Sequence, residues 1–505
     1  MQKDKFEKLV DLDKKLTMIG HIAATLEYDG ETVGLPRSGA ERSRQIGWIK
    51  EQHHALVSSK EMGSLLEACG ANEEHKQGDG ETDFEKAIIK SNFKQYLSAS
   101  RIPSSFVAQK EELMGSSYQK WVKGRETGDD KDYLDNLNRV IDCVKTEKEY
   151  TKEKGQTIYD ALLDEFEPGM TQSVIDPLFQ QIETDLTKIL KTYKDVSVDN
   201  SFLQFPYDEK KQEEFALTIL RSMGFDFTRG QLSYAPHPFT ETLGEDDVRI
   251  TTRYTDPSVM DPLCSTIHEG GHALYEMGAN SGILKGTSLG QGVSCGIHES
   301  MSRFFENIIL KDPDFWAEWY PLFCKTFPSQ TAGVSLSHFT SAINKVSPSF
   351  IRVNADEATY GLHIILRYKV EKALFDGTIK TRQIPEMWND LFTQFFGISI
   401  TDKKDGYIQD VHWSTGDFGY FPSYELGNLY GAQILQAMKK DLNPLNSYYQ
   451  KDKLCEITQW LDAHIYRQGG LYEPQDLLTK VSKKALDASI YTEYLTNKLS
   501  KVYDM

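Results

Sequence analysis

The sequence predicts a large, mainly helical protein that contains one small β-sheet. The chain has 505 residues, of which 39% are hydrophobic and 26% are charged, so it can bury a sizeable core. Apolar residues recur with the period of an α-helix in most of the patterned segments. The alternation typical of a half-buried strand is confined to two short segments.

The helical pattern is clearest in six segments. These are residues 157–167, 173–193, 209–223, 356–375, 426–439 and 476–503. The first segment stops at Pro168-Gly169 and the third at Gly224, and both kinds of residue commonly follow the end of a helix. Asp356 and Glu357 open the fourth segment, where the helix dipole favours their negative charge.

The strand and loop signals are weaker than the helical ones. Residues 247–254 are the best strand candidate because their apolar and polar residues alternate, and residues 231–235 are a second candidate. Residues 75–83 are polar and predict an exposed loop. Residues 281–296 contain five glycines, which argues against a regular helix in that segment.

The chain shows no internal repeat and no long linker, so we expect one domain over residues 1–505. Residues 1–150 carry the least information, and we interpret them as a helical N-terminal layer or lid. Residues 151–505 would form the catalytic part, because the motifs described below lie there.

Charge and cysteine content limit the partners and the compartment. Acidic residues outnumber basic ones to give a net charge of −18, which argues against nucleic acid and anionic membranes as partners. The N-terminal residues are charged throughout and do not resemble a signal peptide. The six cysteines form no CxxC pair. We therefore expect a cytoplasmic protein with reduced thiols.

The most informative motif is His268-Glu269-Gly270-Gly271-His272. On a helix, the two histidines share one face about 6 Å apart, a spacing that lets both imidazoles bind one Zn²⁺. Glu269 is then placed to act as the general base of a metallohydrolase. The two glycines each cost about 1 kcal/mol inside a helix, so we expect the backbone there to approach a substrate or a packed strand.

A catalytic zinc site needs a third protein ligand, and the segment after the glycine-rich connection offers several. Glu299 suits this function as a residue of a second helix. His298 and Glu306 are alternatives that helical periodicity does not separate from Glu299.

Several further elements make the chain resemble the carboxypeptidase Taq family of metallocarboxypeptidases. His268–His272 is similar to the HExxH motif of that family, and His298-Glu299-Ser300 to its HES element. Other elements follow the family order: His237-Pro238-Phe239, Asp247-Val248-Arg249-Ile250-Thr251, Ile351-Arg352 with Ala355-Asp356, and residues 406–413 and 419–429. One departure is Met301, at a position where members of the family often carry Gln.

The resemblance implies a mainly α fold, a large helical zincin like neurolysin and angiotensin-converting enzyme, with a long central groove and a small sheet. It implies Glu299 as the third metal ligand, and Zn²⁺ or sometimes Co²⁺ as the metal. The implied activity is removal of single residues from peptides with a free C-terminus, by a cytoplasmic homodimer.

Catalysis would also need a donor for the tetrahedral oxyanion beside the metal. Tyr420 is the first candidate, because the family-like segment around it carries Gly419 and Pro422 and suggests a fixed loop. Tyr424 and His412 are the next candidates, and Tyr424 could equally bind substrate.

A carboxypeptidase must bind a free α-carboxylate, for which arginine is the best side chain. We expect Arg352 in this function, with Arg249 and Arg303 as alternatives. Arg249 could instead form a structural ion pair with Asp247 or Asp246. The resemblance implies that His237 and Arg249 belong to elements that close one end of the groove.

Two other classes of function remain to be compared with this one. The first is a metal-dependent endopeptidase or dipeptidase on the same HExxH helix, against which the elements around His237 and Arg249 argue. The second is a helical scaffold that has lost catalysis, against which the presence of Glu269 argues, because a structural metal site needs no base.

Overall fold

A computed structural model describes residues 2–254 and 258–504 of the chain, and about 70% of it is helical. The α-helices of the described residues are α1 (Lys3–Thr32), α2 (Gly39–Val57), α3 (Lys60–Ala68), α4 (Asp83–Arg101), α5 (Ser104–Thr127), α6 (Lys131–Thr151), α7 (Ile158–Phe166), α8 (Gln172–Tyr193), α9 (Glu209–Met223), α10 (Met260–Ala279), α11 (Cys295–Arg303), α12 (Pro313–Thr326), α13 (Leu336–Ile343), α14 (Glu357–Phe375), α15 (Ile384–Phe396), α16 (His412–Thr415), α17 (Phe421–Asp441), α18 (Leu454–His464), α19 (Pro474–Ser482) and α20 (Ala488–Tyr503). The fold class predicted from the sequence is therefore confirmed.

One three-stranded sheet accompanies these helices, with strands β1 (Gly230–Tyr234), β2 (Thr240–Gly244) and β3 (Asp247–Thr252). The central strand β3 runs parallel to β1 and antiparallel to β2, so β2 forms an edge. Both predicted strands are confirmed. Strand β2 was not predicted, because this short segment of threonines, Glu241 and Gly244 lacks the apolar alternation that indicates a strand.

Most of the apolar core is one continuous cluster that extends from α5 to α20. A second, smaller core lies among the N-terminal helices. It consists of Phe6, Leu9, Leu12, Leu16, Val57, Met62, Leu65, Leu66, Cys69, Ala71, Ile88, Ile89, Phe93, Leu284 and Leu289. The last two residues come from the glycine-rich connection after α10, so that connection is packed against the N-terminal helices. The division at residue 150 stays a prediction, and α5 and α6 contribute to the larger core.

The predicted helices are confirmed, with one exception. Residues 476–503 do not form one helix, because α19 ends at Ser482 and α20 begins at Ala488. The buried amide of Gln433 on α17 donates to the backbone oxygens of Lys484 and Ala485 and accepts from the backbone N–H of Asp487. A partner distant in sequence thus satisfies the non-helical backbone between α19 and α20.

The predicted loops are also confirmed. The segment 75–83 is non-helical until α4 begins at Asp83, and the segment 281–296 contains only a short 3₁₀ turn at Gly282–Leu284 before α11. All six cysteines are unpaired. Within residues 2–254 and 258–504, we find no helix that is both long enough and apolar enough to cross a bilayer.

Candidate metal centre and active site

The site is built where α10 crosses α11, and Gly271 permits this crossing. A Cβ atom at Gly271 would lie 2.6 Å from the backbone oxygen of Met301 and 2.8 Å from the Cα of Ser302. Any side chain larger than hydrogen would therefore push α11 away. The expectation that the glycines face a strand or a substrate is wrong at Gly271, since what approaches its backbone is a second helix.

This crossing brings together one ligand atom from each of His268, His272 and Glu299, all within 4.8 Å of one another. The Oε2 atom of Glu299 lies 3.6 Å from Nε2 of His268 and 3.5 Å from Nε2 of His272. Ligand atoms bound tetrahedrally to zinc at about 2.0–2.1 Å are separated by about 3.3 Å. The three side chains therefore fit a single divalent metal ion with little movement.

Glu306 lies behind His268, within the π-helical turn Phe304–Ile309 that continues α11. Its Oε2 atom is 2.8 Å from Nδ1 of His268 and accepts that N–H, which leaves Nε2 directed at Glu299. Burial lowers the pKa of His268, but the carboxylates of Glu299 and Glu306 outweigh it and raise the pKa to about 9. Metal binding at Nε2 would thus release a proton.

His298 lies behind His272, with the two Nδ1 atoms 2.5 Å apart. The other nitrogen of His298, Nε2, is 2.8 Å from Oε1 of Glu276 and donates to it. With its Nε2 donating to Glu276, His298 can accept the Nδ1–H of His272 at its own Nδ1, which leaves the lone pair on Nε2 of His272 free to bind a metal. Burial lowers the pKa of His272 to about 3, so its imidazole is neutral.

The side chain of Glu299 is held by two neighbours on the same helix and by α17. Ser302 donates to Oε2 at 3.0 Å, and Arg303 donates to Oε1 at 2.8 Å. Gly427 of α17 lies against Glu299, where a Cβ would come within 2.8 Å of its Cγ. Burial raises the pKa of Glu299, but the charges of His268 and Arg303 reverse the shift and hold it well below the usual value.

Glu269 lies beside this cluster and is only 7% exposed. Its Oε2 atom accepts a hydrogen bond of 2.7 Å from the hydroxyl of Thr240 on β2. Burial raises the pKa of Glu269, which favours its acting as a proton acceptor. A buried carboxylate next to two imidazoles and a third ligand is the arrangement that metal-dependent hydrolysis needs.

Comparison with known proteins shows the family of this chain. The family model for the carboxypeptidase Taq (M32) metallopeptidases matches residues 8–499. The chain belongs to this family.

Several characterised relatives resemble this M32 protein over their whole length. It is 34% identical to carboxypeptidase 1 of Bacillus subtilis, with 98% of each chain covered, and 33% identical to thermostable carboxypeptidase 1 of Thermus thermophilus, with 99% of each covered. The crystal structure of an M32 carboxypeptidase from Deinococcus radiodurans matches with a TM-score of 0.95, at 31% identity and with 100% of each chain covered. This M32 chain is thus a metallocarboxypeptidase, and the family implies a divalent metal, for which His268, His272 and Glu299 form a cluster of suitable ligand atoms.

The metallocarboxypeptidase also contains a buried cluster of two arginines around one carboxylate. Arg352 donates to Oδ1 of Asp410 from Nε at 3.1 Å and from Nη2 at 2.9 Å, and Arg367 donates to Oδ2 from Nε at 2.7 Å. Burial lowers the pKa of the nearby His412 to about 4, so this imidazole is neutral. Two positively charged guanidinium groups therefore share one carboxylate. The cluster has an excess positive charge, which favours the binding of a second anion.

Arg352 is connected to the metal centre through aromatic side chains. Its Nη1 donates to the hydroxyl of Tyr360 at 2.9 Å, and the guanidinium of Arg303 lies 4.1 Å from the centre of the Tyr360 ring. Since Arg303 binds Glu299, Tyr360 bridges the arginine cluster and the candidate metal centre. Arg303, an alternative for carboxylate binding, is thus already paired with Glu299.

Tyr420, Tyr424 and His412 lie together at the start of α17. The rings of the two tyrosines are 5.1 Å apart, and Nε2 of His412 is 3.3 Å from the hydroxyl of Tyr424. Burial raises the pKa of both tyrosines far above the usual value, and the charge of Glu299 adds to the shift. Both hydroxyls therefore remain protonated donors near the metal centre.

The remaining substrate-binding candidates lie around the sheet. Arg249 donates to both oxygens of Asp247, at 2.9 and 2.8 Å, and its guanidinium lies 5.2 Å from the centre of the Tyr28 ring on α1. The structural ion pair between Arg249 and Asp247, which the sequence offered as an alternative to carboxylate binding, is therefore present. His237 is exposed in the loop before β2. The functions of both residues stay predictions.

Some residues that support the proposed ligands were not predicted from the sequence. Glu276 follows His272 by four positions and so lies on the same helix face, a signal that could have identified it. Thr240 and Arg367 have no such local signal, because tertiary contacts alone bring them to the site, whereas Asp410 lies in the family-like segment 406–413. Met301 is fully buried in the apolar core, and Ser302 and Arg303 hold the carboxylate of Glu299 beside it.

Proposed function

We propose that the enzyme holds Zn²⁺, or alternatively Co²⁺, with His268, His272 and Glu299, and that Glu269 is its general base. The observation that carries this proposal is the position of Glu299 Oε2, 3.6 and 3.5 Å from the Nε2 atoms of the two histidines. The bound metal would make water nucleophilic and polarise the scissile carbonyl. Glu269 would take the proton of the attacking water and pass it to the leaving amine.

The other side chains bind and orient the peptide in this proposal. Tyr420 or Tyr424, with His412 behind it, would donate a hydrogen bond to the oxyanion of the tetrahedral intermediate. Arg352 would attract the free α-carboxylate, because its contacts with Asp410 and Tyr360 leave one N–H on each of Nη1 and Nη2. His237 and Arg249 would limit the space at one end of the groove.

We also propose that the enzyme is a cytoplasmic homodimer with a single catalytic domain, in which the N-terminal helices form a layer or lid. The six unpaired cysteines support a reducing compartment. The separate small core of the N-terminal helices supports a layer that is partly independent of the rest. The dimer rests on the family resemblance.

A pair of peptides tests the specificity for a free terminus. We expect stepwise loss of single C-terminal residues from a free peptide and no cleavage of the same peptide with an amidated C-terminus, because amidation removes the carboxylate that Arg352 would bind. Mass spectrometry follows the products, and a chelator should abolish them. Internal cuts in both peptides would instead indicate an endopeptidase on the same metal helix.

Replacement of Arg352 tests carboxylate recognition. We expect Arg352→Gln to lower kcat/KM for the free peptide roughly 10- to 100-fold, since a hydrogen bond to a charged group contributes about 1.5–3 kcal/mol. Arg249→Gln is the comparison variant, because Arg249 is the alternative for carboxylate binding and is paired with Asp247. A larger loss in Arg249→Gln than in Arg352→Gln would assign carboxylate binding to Arg249.

A further inference from the structure

Strand β2 presents two threonines to the same side of α10. Thr240 and Thr242 are two residues apart and pair in register with Ile250 and Val248 of β3, so all four share one face of the sheet. Their hydroxyls reach two carboxylates of α10. Glu269 and Glu276 are seven residues apart, which places them on one face of that helix.

The first contact holds the general base. The hydroxyl of Thr240 is 2.7 Å from Oε2 of Glu269 and 3.0 Å from the backbone oxygen of the same residue. The shorter contact engages one carboxylate oxygen and leaves the other free. A carboxylate that can rotate is a poorly placed proton acceptor, because proton transfer needs the two heavy atoms within hydrogen-bond reach. The hydrogen bond from Thr240 fixes which oxygen of Glu269 can accept the proton.

The second contact starts a chain that ends at a metal ligand. Thr242 donates to Oε2 of Glu276 at 3.1 Å, and the backbone N–H of Gly292 donates to Oε1 at 3.0 Å. With its carboxylate fixed in this way, Glu276 accepts from Nε2 of His298, and His298 accepts from Nδ1 of His272. This series of hydrogen bonds sets the tautomer of His272 in which Nε2 can bind a metal.

The opposite face of the strand is also anchored. Leu243 of β2 and Phe239 just before it pack against Ala24 and Tyr28 of α1, with the rings of Tyr28 and Phe239 5.8 Å apart. Because α1 and α10 lie on the two sides of β2, the strand has little freedom to move. A fixed strand can position the groups that its hydroxyls contact.

We propose that Thr240 and Thr242 are positioning residues with separate functions, Thr240 for the carboxylate of Glu269 and Thr242 for the metal ligand His272 through Glu276 and His298. The inference rests on the proposed catalytic functions of Glu269 and His272. It explains why an edge strand with a polar sequence lies directly against the metal-binding helix.

Valine and serine variants separate the hydroxyl from the packing of the side chain. Thr240→Val should lower kcat roughly 10- to 100-fold with little change in KM, as expected for a misplaced catalytic group. Its zinc affinity, measured by competition with a chromogenic chelator, should equal that of the unmodified enzyme. Excess zinc should not restore its activity, whereas Thr240→Ser should recover most of kcat.

Thr242→Val should show the opposite behaviour. Its affinity for zinc should fall roughly 10- to 100-fold, as is typical when a group behind a metal ligand is removed. Excess zinc should reverse its loss of activity, and Thr242→Ser should restore the affinity. Thermal unfolding of each zinc-free variant shows whether the strand still folds normally.

Three outcomes would overturn the inference. Valine variants that match the unmodified enzyme would show that the hydroxyls have no function. Serine variants that fail like the valine variants would assign the effect to packing. Equal losses of kcat and zinc affinity in both valine variants would show that the functions are not separate. If the unmodified enzyme cleaves no peptide, the proposed function fails. The zinc affinity of Thr242→Val still tests the series of hydrogen bonds from Thr242 to His272 in that case.

Discussion

Replacing Glu269 by glutamine is expected to lower kcat by about 10²- to 10⁴-fold, which is the range that a positioned general base contributes. Glutamine keeps the size of the side chain and can still accept the hydrogen bond from Thr240. It cannot take a proton from the attacking water. The loss should therefore fall on kcat, while KM, zinc content and thermal unfolding remain close to those of the unmodified enzyme.

The control for this experiment is Glu318→Gln, which changes an exposed glutamate of α12. Steady-state kinetics on the free peptide and metal analysis by mass spectrometry should be measured for both variants. Full activity in Glu269→Gln would rule out Glu269 as the base. Loss of zinc together with activity would show that the residue supports metal binding instead of proton transfer.

Replacing Glu299 by glutamine should have an equally large effect, through loss of the metal. Glutamine offers a neutral amide oxygen in place of the carboxylate and removes the charge that balances Arg303 and the metal. We expect zinc affinity to fall more than about 100-fold, beyond the 10- to 100-fold typical of residues behind a ligand. Activity at low zinc should be undetectable.

Two neighbouring variants make this prediction specific. Glu306→Gln and His298→Gln remove the other residues that the sequence offers as third ligand, and the structure places both behind the histidines. Each should weaken zinc binding less than Glu299→Gln does. If Glu306→Gln lost more zinc affinity than Glu299→Gln, the assignment of Glu299 as a ligand would be wrong.

Local sequence patterns predict most helices and part of the candidate site, because these features depend on residues close together in the sequence. The positions of His268, Glu269 and His272 follow from helical geometry alone, since residues four apart lie on one face. The helices around residues 158–166, 172–193 and 209–223 follow from apolar periodicity and from their end signals. The family resemblance adds Glu299 and Arg352 because it carries information from related chains.

Other features were decided only by contacts between distant parts of the chain. The interruption between α19 and α20 depends on Gln433, and the arginine cluster depends on Asp410, which lies 58 residues after Arg352. No periodicity within either segment indicates such a partner. Buried polar groups must find hydrogen bonds wherever the fold places them, so these pairings follow from packing.

The sequence by itself therefore determined the helical class, two of the three proposed metal ligands and the proposed base. The tertiary structure decided which of Glu299, His298 and Glu306 faces the two histidines, because this depends on the approach of α11 to α10 at Gly271. It also decided that Thr240 and Thr242 reach Glu269 and Glu276. The physical reason is that a metal site requires atoms within a few ångströms, and only the packing of separate elements sets distances at that scale.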